Sequence, residues 1–124
     1  MKSTACACGS GALYAGCCAT LHGGEPAATA EALMRSRYSA FALGLSDYLL
    51  NSWHPSTRPA TLVLEADVKW LGLRVESHQM TGANSATVAF VARWRQGGGS
   101  AQRLVERSRF QRDDGRWFYL DAQV

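Results

Sequence analysis

The spacing of apolar residues changes from a helical period in the first half of the chain to a strand period in the second. Apolar side chains recur at three- and four-residue steps over residues 27–43, which predicts an amphipathic helix. Gly44 is placed to end this helix. Ser46 is expected to cap a second, shorter helix over residues 47–53. The first half of the chain is therefore predicted to supply two helices, and the ten residues 60–69 fit either a strand or a short helix.

From residue 70 onward, apolar and polar positions alternate, which is typical of strands with one buried face. The first strand begins at Trp70, with Leu71, Leu73 and Val75 expected on one face and Trp70 on the other. The following strands are predicted at residues 86–95, 102–112 and 117–120, with turns at 82–84, 97–100 and 113–115. Helices followed by an antiparallel meander predict an α+β fold in which the sheet curls around the helices.

All four cysteines of the chain lie within its first eighteen residues, as Cys6, Cys8, Cys17 and Cys18. Four thiolates can surround one metal ion in a tetrahedron, as in structural zinc sites. The glycines at positions 9 and 11 allow the tight turn that brings the two pairs of thiols together. We therefore predict a site in which these four cysteines bind zinc.

Other uses of the cysteines are less consistent with the sequence. Disulfides are typical of secreted proteins, and the residues before Cys6 do not form a signal peptide. A redox dithiol usually has the Cys-x-x-Cys spacing, which is absent. Iron–sulfur spacings differ from this one, although thiolates would accept iron as well as zinc. His22 is near enough in sequence to replace one cysteine. Reduced thiols lead us to expect a cytoplasmic protein of bacterial type.

The formal charge of the chain is +3, with eleven arginines among the thirteen basic residues. Four thiolates and one zinc ion would lower this charge to about +1. Eight arginines lie between Arg74 and Arg116 without forming a dense cluster. We therefore expect a solvated strand face or a protein interface there, and the low charge argues against nucleic-acid binding. No run of residues approaches the length of a membrane span.

The cysteine segment resembles a known zinc motif. The sequence CACGSG at residues 6–11, Tyr14, and the pair Cys17 and Cys18 are similar to the SEC-C motif, named for the C-terminus of the SecA translocation ATPase. SecA-type versions have histidine as the last ligand, where this chain has Cys18. In SecA the motif docks a partner, so the resemblance implies a protein partner, such as a chaperone or a ribosome, for this segment.

Almost the whole chain also resembles the YchJ-type family of small bacterial proteins. The matching segments are ALMRSRYSAF at 32–41, WHP at 53–55, WLGL at 70–73, FVAR at 90–93, ERSRF at 106–110 and GRWFY at 115–119. The resemblance implies an N-terminal zinc knuckle over residues 1–23 and a cone-shaped nuclear transport factor 2-like domain over residues 24–124. In such a domain two or three helices pack on a curved antiparallel sheet.

Cone-shaped domains often enclose a pocket, so inward-facing polar residues are candidate site residues. Glu106 is predicted to face inward, and Arg35 or Arg37 could pair with it because a buried charge needs a partner. His54 could act as a general base with Asp47 or Asp121. The candidate pocket residues are Arg35, Arg37, Tyr38, Trp53, His54, Arg93 and Glu106.

Two classes of function fit these features. In the first, the protein is a zinc-containing adaptor that docks a partner through the knuckle and binds a second partner or a small ligand through the larger domain. In the second, it is a small enzyme that uses His54, Glu106 or an arginine in the pocket. Four cysteine ligands would leave no open position on the zinc ion, so in both classes the zinc is expected to be structural.

Overall fold

The computed structural model describes residues 4–123 and contains a four-stranded sheet with helices on one side. A 3₁₀ turn at Tyr14–Gly16 leads into the short helix α1 at Cys18–His22. The two later helices are α2 at Ala30–Leu43 and α3 at Ser46–Asn51. Within these residues, no helix has the length and apolarity needed to cross a bilayer.

The strands are β1 at Val68–Gly82, β2 at Ser85–Gln96, β3 at Gln102–Asp113 and β4 at Arg116–Gln123. They form an antiparallel meander in the order β1-β2-β3-β4. The last hairpin turns at Asp114 and Gly115, which both have positive φ, of 51° and 79°. Aspartate and glycine tolerate such angles, so this tight turn follows directly from the sequence. The α+β fold predicted from the sequence is confirmed.

Helix α2 begins later than the sequence pattern predicted. Pro26 precedes the helix, and the N-cap is Thr29, whose hydroxyl accepts a hydrogen bond from the Ala32 amide at 3.0 Å. Gly44 ends the helix in the left-handed conformation, with φ of 76°. Ser46 lies inside α3 and does not cap it. The hydroxyl at position 29 satisfies a free amide at the helix start, which Pro26 could not do.

The first strand also differs from the predicted alternation. Irregularities in the pairing with β2 occur between Trp70 and Gly72 and again further along β1. Such a bulge reverses the face on which the following side chains lie. Trp70 consequently packs against the core, with its ring 5.7 Å from that of Tyr38, while Leu71 is 37% exposed. The prediction that placed Leu71 on the face of Leu73 and Val75, with Trp70 on the opposite face, was therefore wrong for Leu71 and Trp70.

The core lies between α2 and the concave face of the sheet. Alternate residues of β2 are buried there, including Val88 and Phe90, together with Phe110 of β3. Leu33 and Met34 of α2 pack against them. Cys6, Cys8 and Cys18 belong to the same cluster of buried residues. The cysteine segment is thus packed into the domain and is not a separate appendage.

Candidate metal centre and cavity

The four cysteine sulfur atoms converge on one point. All four lie within 4.8 Å of one another, with 3.6 Å between the sulfurs of Cys8 and Cys17 and 4.0 Å between those of Cys17 and Cys18. These distances exceed a disulfide bond of about 2.0 Å. A tetrahedron with metal–sulfur bonds of about 2.3 Å has edges of about 3.8 Å. The donor set therefore fits one tetrahedral, thiophilic metal ion.

Short backbone hydrogen bonds hold the cysteines in this arrangement. The amide of Cys6 donates to the Ala12 carbonyl at 2.9 Å, and the amide of Tyr14 donates to the Thr4 carbonyl at 2.8 Å. Gly9 turns the chain with φ of 77°, and a Cβ atom there would lie 3.2 Å from the Leu73 carbonyl oxygen. The glycine is needed both for its angle and for its close approach to β1.

The thiols differ in how easily they would lose a proton. Burial raises the pKa of Cys8, but hydrogen bonds from Ser10 and from neighbouring thiols outweigh this effect and lower the pKa to about 7. Burial, followed by a hydrogen bond with Cys6 and the charges of Cys8 and Cys6, raises the pKa of Cys18. Burial also raises the pKa of Cys17. Four thiolates would thus coexist in this cluster only when a cation neutralises them.

His22 lies outside the thiol cluster and fastens the cysteine segment to α2. Its Nε2 donates to the Ser36 carbonyl at 2.8 Å, and its Nδ1 accepts from the Tyr14 hydroxyl at 2.7 Å. Arg35, a predicted pocket residue, has a similar role. It donates to the Cys8 carbonyl at 2.8 Å and forms an ion pair with Glu31. The two side chains thereby position the cluster against the larger domain.

A cavity of about 320 Å³ lies between α2 and the sheet. It is lined mainly by apolar and aromatic residues: Met34, Tyr38, Phe41, Trp53, Trp70, Phe90, Ala92, Leu104, Phe110 and Tyr119. Arg37, Glu106 and Ser108 supply its charged and hydroxyl groups. Arg37, Tyr38, Trp53 and Glu106 were predicted from the sequence, whereas Ser108 and Tyr119 were not proposed. The alternation of β3 places Ser108 on the face of Glu106 and could have indicated it.

The predicted ion pair between Glu106 and an arginine of α2 is not formed. Among residues 4–123, Glu106 has no cationic partner within 4.0 Å, and its carboxylate accepts from the Ser108 hydroxyl at 2.8 Å. Arg37 instead donates through Nη1 to the Leu49 carbonyl at 2.7 Å and to the Ser52 hydroxyl at 2.6 Å. Backbone and hydroxyl acceptors of α3 thus take the place of the expected carboxylate.

Aromatic rings complete the surroundings of Arg37. Its guanidinium lies 4.3 Å from the ring centre of Tyr119 and 5.2 Å from that of Trp53. Burial lowers the pKa of Arg37 to about 10, so the side chain stays charged at neutral pH. Burial, then the charge of Glu106, raises the pKa of Tyr119, so the phenol stays protonated. The cavity therefore contains a stable cation beside neutral aromatic walls.

Three of the predicted pocket residues, Arg35, His54 and Arg93, do not line the cavity. His54 donates from Nε2 to Asp113 at 2.7 Å and accepts at Nδ1 from the Ser56 hydroxyl at 2.7 Å. Neither Asp47 nor Asp121, the predicted partners of His54, takes part in these hydrogen bonds. Ser56 and Asp113 were not identified from the sequence. Arg93 is exposed on the outer face of the sheet. An active site that combines His54 with Glu106 is therefore not formed.

Comparisons with known proteins agree with this architecture. The family model for the middle NTF2-like domain of YchJ matches residues 29–122. The chain is 56% identical over 120 residues to a UPF0225 protein of Xanthomonas campestris pv. campestris (strain 8004), covering 95% of this chain and 93% of the relative. It is 54% identical over 127 residues to a UPF0225 protein of Chromobacterium violaceum, covering 97% and 93%.

Two solved structures share the fold. The solution structure of a SEC-C motif containing protein from Rhodopseudomonas palustris matches with a TM-score of 0.85 and 37% identity, over 96% of this chain and 97% of that one. The crystal structure of a SEC-C motif containing protein from Psychrobacter arcticus matches with a TM-score of 0.80 and 27% identity, over 100% and 84%. The chain belongs to the YchJ-type UPF0225 family, in which a SEC-C cysteine motif precedes a nuclear transport factor 2-like domain.

Proposed function

We propose that this protein is a zinc-containing adaptor, in which the four cysteines bind structural zinc and the knuckle docks a partner protein. The observation that supports it best is the convergence of four thiols within 4.8 Å on a segment whose tip is exposed. Four protein ligands complete a tetrahedral shell, so no position remains for a metal-bound water. A zinc ion here would therefore fix a shape and would not catalyse a reaction.

The tip of the knuckle offers a compact apolar surface. Residues 9–13 are exposed, and the Leu13 side chain is 54% exposed beside the isolated bridge that joins it to Ala5. The amides of Cys6 and Gly16 donate to the carbonyls of Ala12 and Leu13 in this tip. The contacts of His22 and Arg35 hold the segment that carries the tip against α2. A rigid apolar surface loses little conformational entropy when it binds a partner.

The charge of the knuckle favours a protein partner over nucleic acid. Residues 4–24 contain no lysine, arginine, aspartate or glutamate. One zinc ion with four thiolates would carry a net charge of −2, which would repel phosphate groups. We propose a partner of the chaperone or ribosomal-protein class, by analogy with the docking role that the SEC-C motif has in SecA.

The metal and the docking role can be tested separately. Native mass spectrometry should show one zinc ion per chain, and elemental analysis separates zinc from iron. A purified chain with no bound ion and four alkylatable thiols would contradict the metal assignment.

Affinity capture tests the docking role with three variants. Leu13→Ser should lose the partner while keeping zinc, and Cys17→Ser with Cys18→Ser should lose both. Leu43→Ser is the matched control because Leu43 is 52% exposed at the far end of α2. Capture of the same partners by the wild type, the Leu13 variant and the double cysteine variant would refute the docking role.

The alternative enzyme function would use the cavity with purely structural zinc. Of its proposed residues, only Glu106 and Arg37 line the cavity. The Ser108 hydroxyl donates to Glu106 at 2.8 Å, but among residues 4–123 no histidine lies beside this serine in the cavity lining. The geometry therefore favours binding over catalysis in this part of the molecule.

A further inference from the structure

The cavity between α2 and the sheet has the features of a binding site that is separate from the metal centre. Its volume is about 320 Å³, and none of the four cysteines lines it. This volume is at the lower end of the range for small-molecule binding sites, so the cavity suits a molecule of one or two rings. Aromatic side chains form most of its walls, and flat rings pack well against them.

Arg37 provides the first polar contact for a ligand. The residue is only 5% exposed and is nevertheless charged. Both of its hydrogen bonds to residues 4–123 start from Nη1, and no carboxylate of these residues lies within 4.0 Å. A guanidinium has five N–H donors. The remaining donors of this buried cation are available to an acceptor in the cavity.

Glu106 provides a complementary contact from the wall formed by β3. Its carboxylate accepts one hydrogen bond, from Ser108, and can accept more. It lacks an ion-pair partner among the described residues, as Arg37 does. One positive and one negative group therefore line the same apolar space without touching each other.

We propose that this cavity binds a small, flat, uncharged ring compound that accepts a hydrogen bond from Arg37 and donates one to Glu106. An anion would be attracted by the arginine but repelled by the glutamate. A cation would be attracted by the glutamate but repelled by the arginine. In an apolar cavity, such an unbalanced charge is costly. A neutral molecule with one acceptor and one donor satisfies both groups without adding charge.

The test uses three two-ring probes of similar size with the intact zinc-containing protein. The probes are 2-quinolone, which is neutral and has a lactam donor and acceptor, 2-naphthoate, which is anionic, and 2-naphthylmethylammonium, which is cationic. NMR titration follows the Met34 methyl group in the cavity wall, with the Met80 methyl group, exposed on β1, as the internal control. We expect 2-quinolone to shift the Met34 signal with the lowest dissociation constant of the three.

Glu106→Gln changes the charge of the cavity in a defined way. The variant leaves Arg37 without its balancing charge, so we expect 2-naphthoate to bind about tenfold more tightly than it binds the wild type. We expect 2-quinolone to lose affinity by about threefold or more, because an acceptor loses its charge. Glu76→Gln is the matched control, since Glu76 is exposed and pairs with Arg74 outside the cavity. Its affinities should equal those of the wild type.

Two results would overturn the proposal. The first is the absence of any Met34 shift with millimolar 2-quinolone, and the second is a Glu106→Gln variant whose dissociation constants for 2-quinolone and 2-naphthoate both equal those of the wild type. The proposal does not depend on the docking role of the knuckle. Loss of partner capture in Leu13→Ser would leave these titrations unchanged, so the failure of one idea is distinguishable from the failure of the other.

Discussion

At the scale of single residues, Arg37 connects α2, α3 and β4. It donates to the Leu49 carbonyl and the Ser52 hydroxyl of the α3 region, and its guanidinium lies over the ring of Tyr119 in β4. Replacement by methionine keeps an apolar stem and removes both hydrogen bonds and the cation–π contact. We expect Arg37→Met to lower the free energy of unfolding by about 2 kcal/mol, as measured by chemical denaturation.

The outer face of the sheet supplies a control for this prediction. Arg93→Met makes the same substitution at an exposed position, so it should change the free energy of unfolding by no more than about 0.5 kcal/mol. Equal losses in the two variants would show that the contacts of Arg37 contribute nothing specific to stability.

Asp113 links the last hairpin to the segment after α3. The hydrogen bond from Gln111, and then that from His54, lowers the pKa of Asp113 below its usual value of 3.8. A lowered pKa in the folded state means that the stabilisation is present above pH 3.8 and is lost as the pH falls through the folded-state pKa. The stability difference between wild type and Asp113→Asn should therefore shrink as the pH falls below about 4.

Denaturant titrations at each pH measure this difference. Loss of metal in acid affects both proteins alike, so only the contribution of Asp113 changes between them. Asp114→Asn tests specificity, because Asp114 is the exposed neighbour in the same turn. A difference that does not shrink in acid would contradict the proposed contribution.

Glu106 faces inward, as the sequence predicted, but its partner is Ser108 and not the expected arginine. Alternation along β3 determines the face of a side chain, and Glu106 does line the cavity. The choice of partner depends on distances between elements, which a one-dimensional pattern does not contain. Arg37 donates to the Leu49 carbonyl and the Ser52 hydroxyl, and the spacing of residues in the sequence could not indicate these acceptors.

At the scale of elements, the sequence predicted the order and type of helices and strands but not all their boundaries. Thr29 and Ser46 are both plausible caps by residue type, yet only Thr29 has its hydroxyl on a free helix amide. The bulge after Trp70 was also not predicted, because bulges depend on pairing with β2 and not on residue type alone. These errors concern the helix boundaries and the face of two residues in β1. The predicted order and pairing of the strands are unaffected by them.

The cysteine segment should respond to metal removal as a local unit. Its amide hydrogen bonds, such as that from Cys6 to Ala12, depend on a loop whose closure the metal would fix. We expect chelation to increase hydrogen exchange over residues 4–24, while the central strands β2 and β3 keep their protection. Hydrogen exchange followed by mass spectrometry measures this, and added zinc should restore the original protection.

The shared core limits how local this response can be. Cys8 and Cys18 are fully buried against the domain, and Arg35 of α2 bonds to the Cys8 carbonyl. We therefore expect some added exchange in the first turns of α2. Simultaneous loss of protection throughout the sheet would refute a local unit and would make the metal a requirement for the whole fold.

At the scale of the whole molecule, charge distribution determines what the outer sheet face can bind. Arg93, Arg103 and Arg107 are exposed there, whereas Arg74 and Arg109 form ion pairs with neighbouring acids. The formal charge would be near +1 in the zinc-bound state, so we expect this face to attract a nucleic-acid backbone only weakly at physiological salt. We expect fluorescence anisotropy to show a dissociation constant weaker than about 10⁻⁴ M for duplex DNA or RNA at 150 mM salt. Micromolar binding that disappears when Arg93, Arg103 and Arg107 are changed to glutamine would contradict this expectation and would make the outer face a nucleic-acid surface.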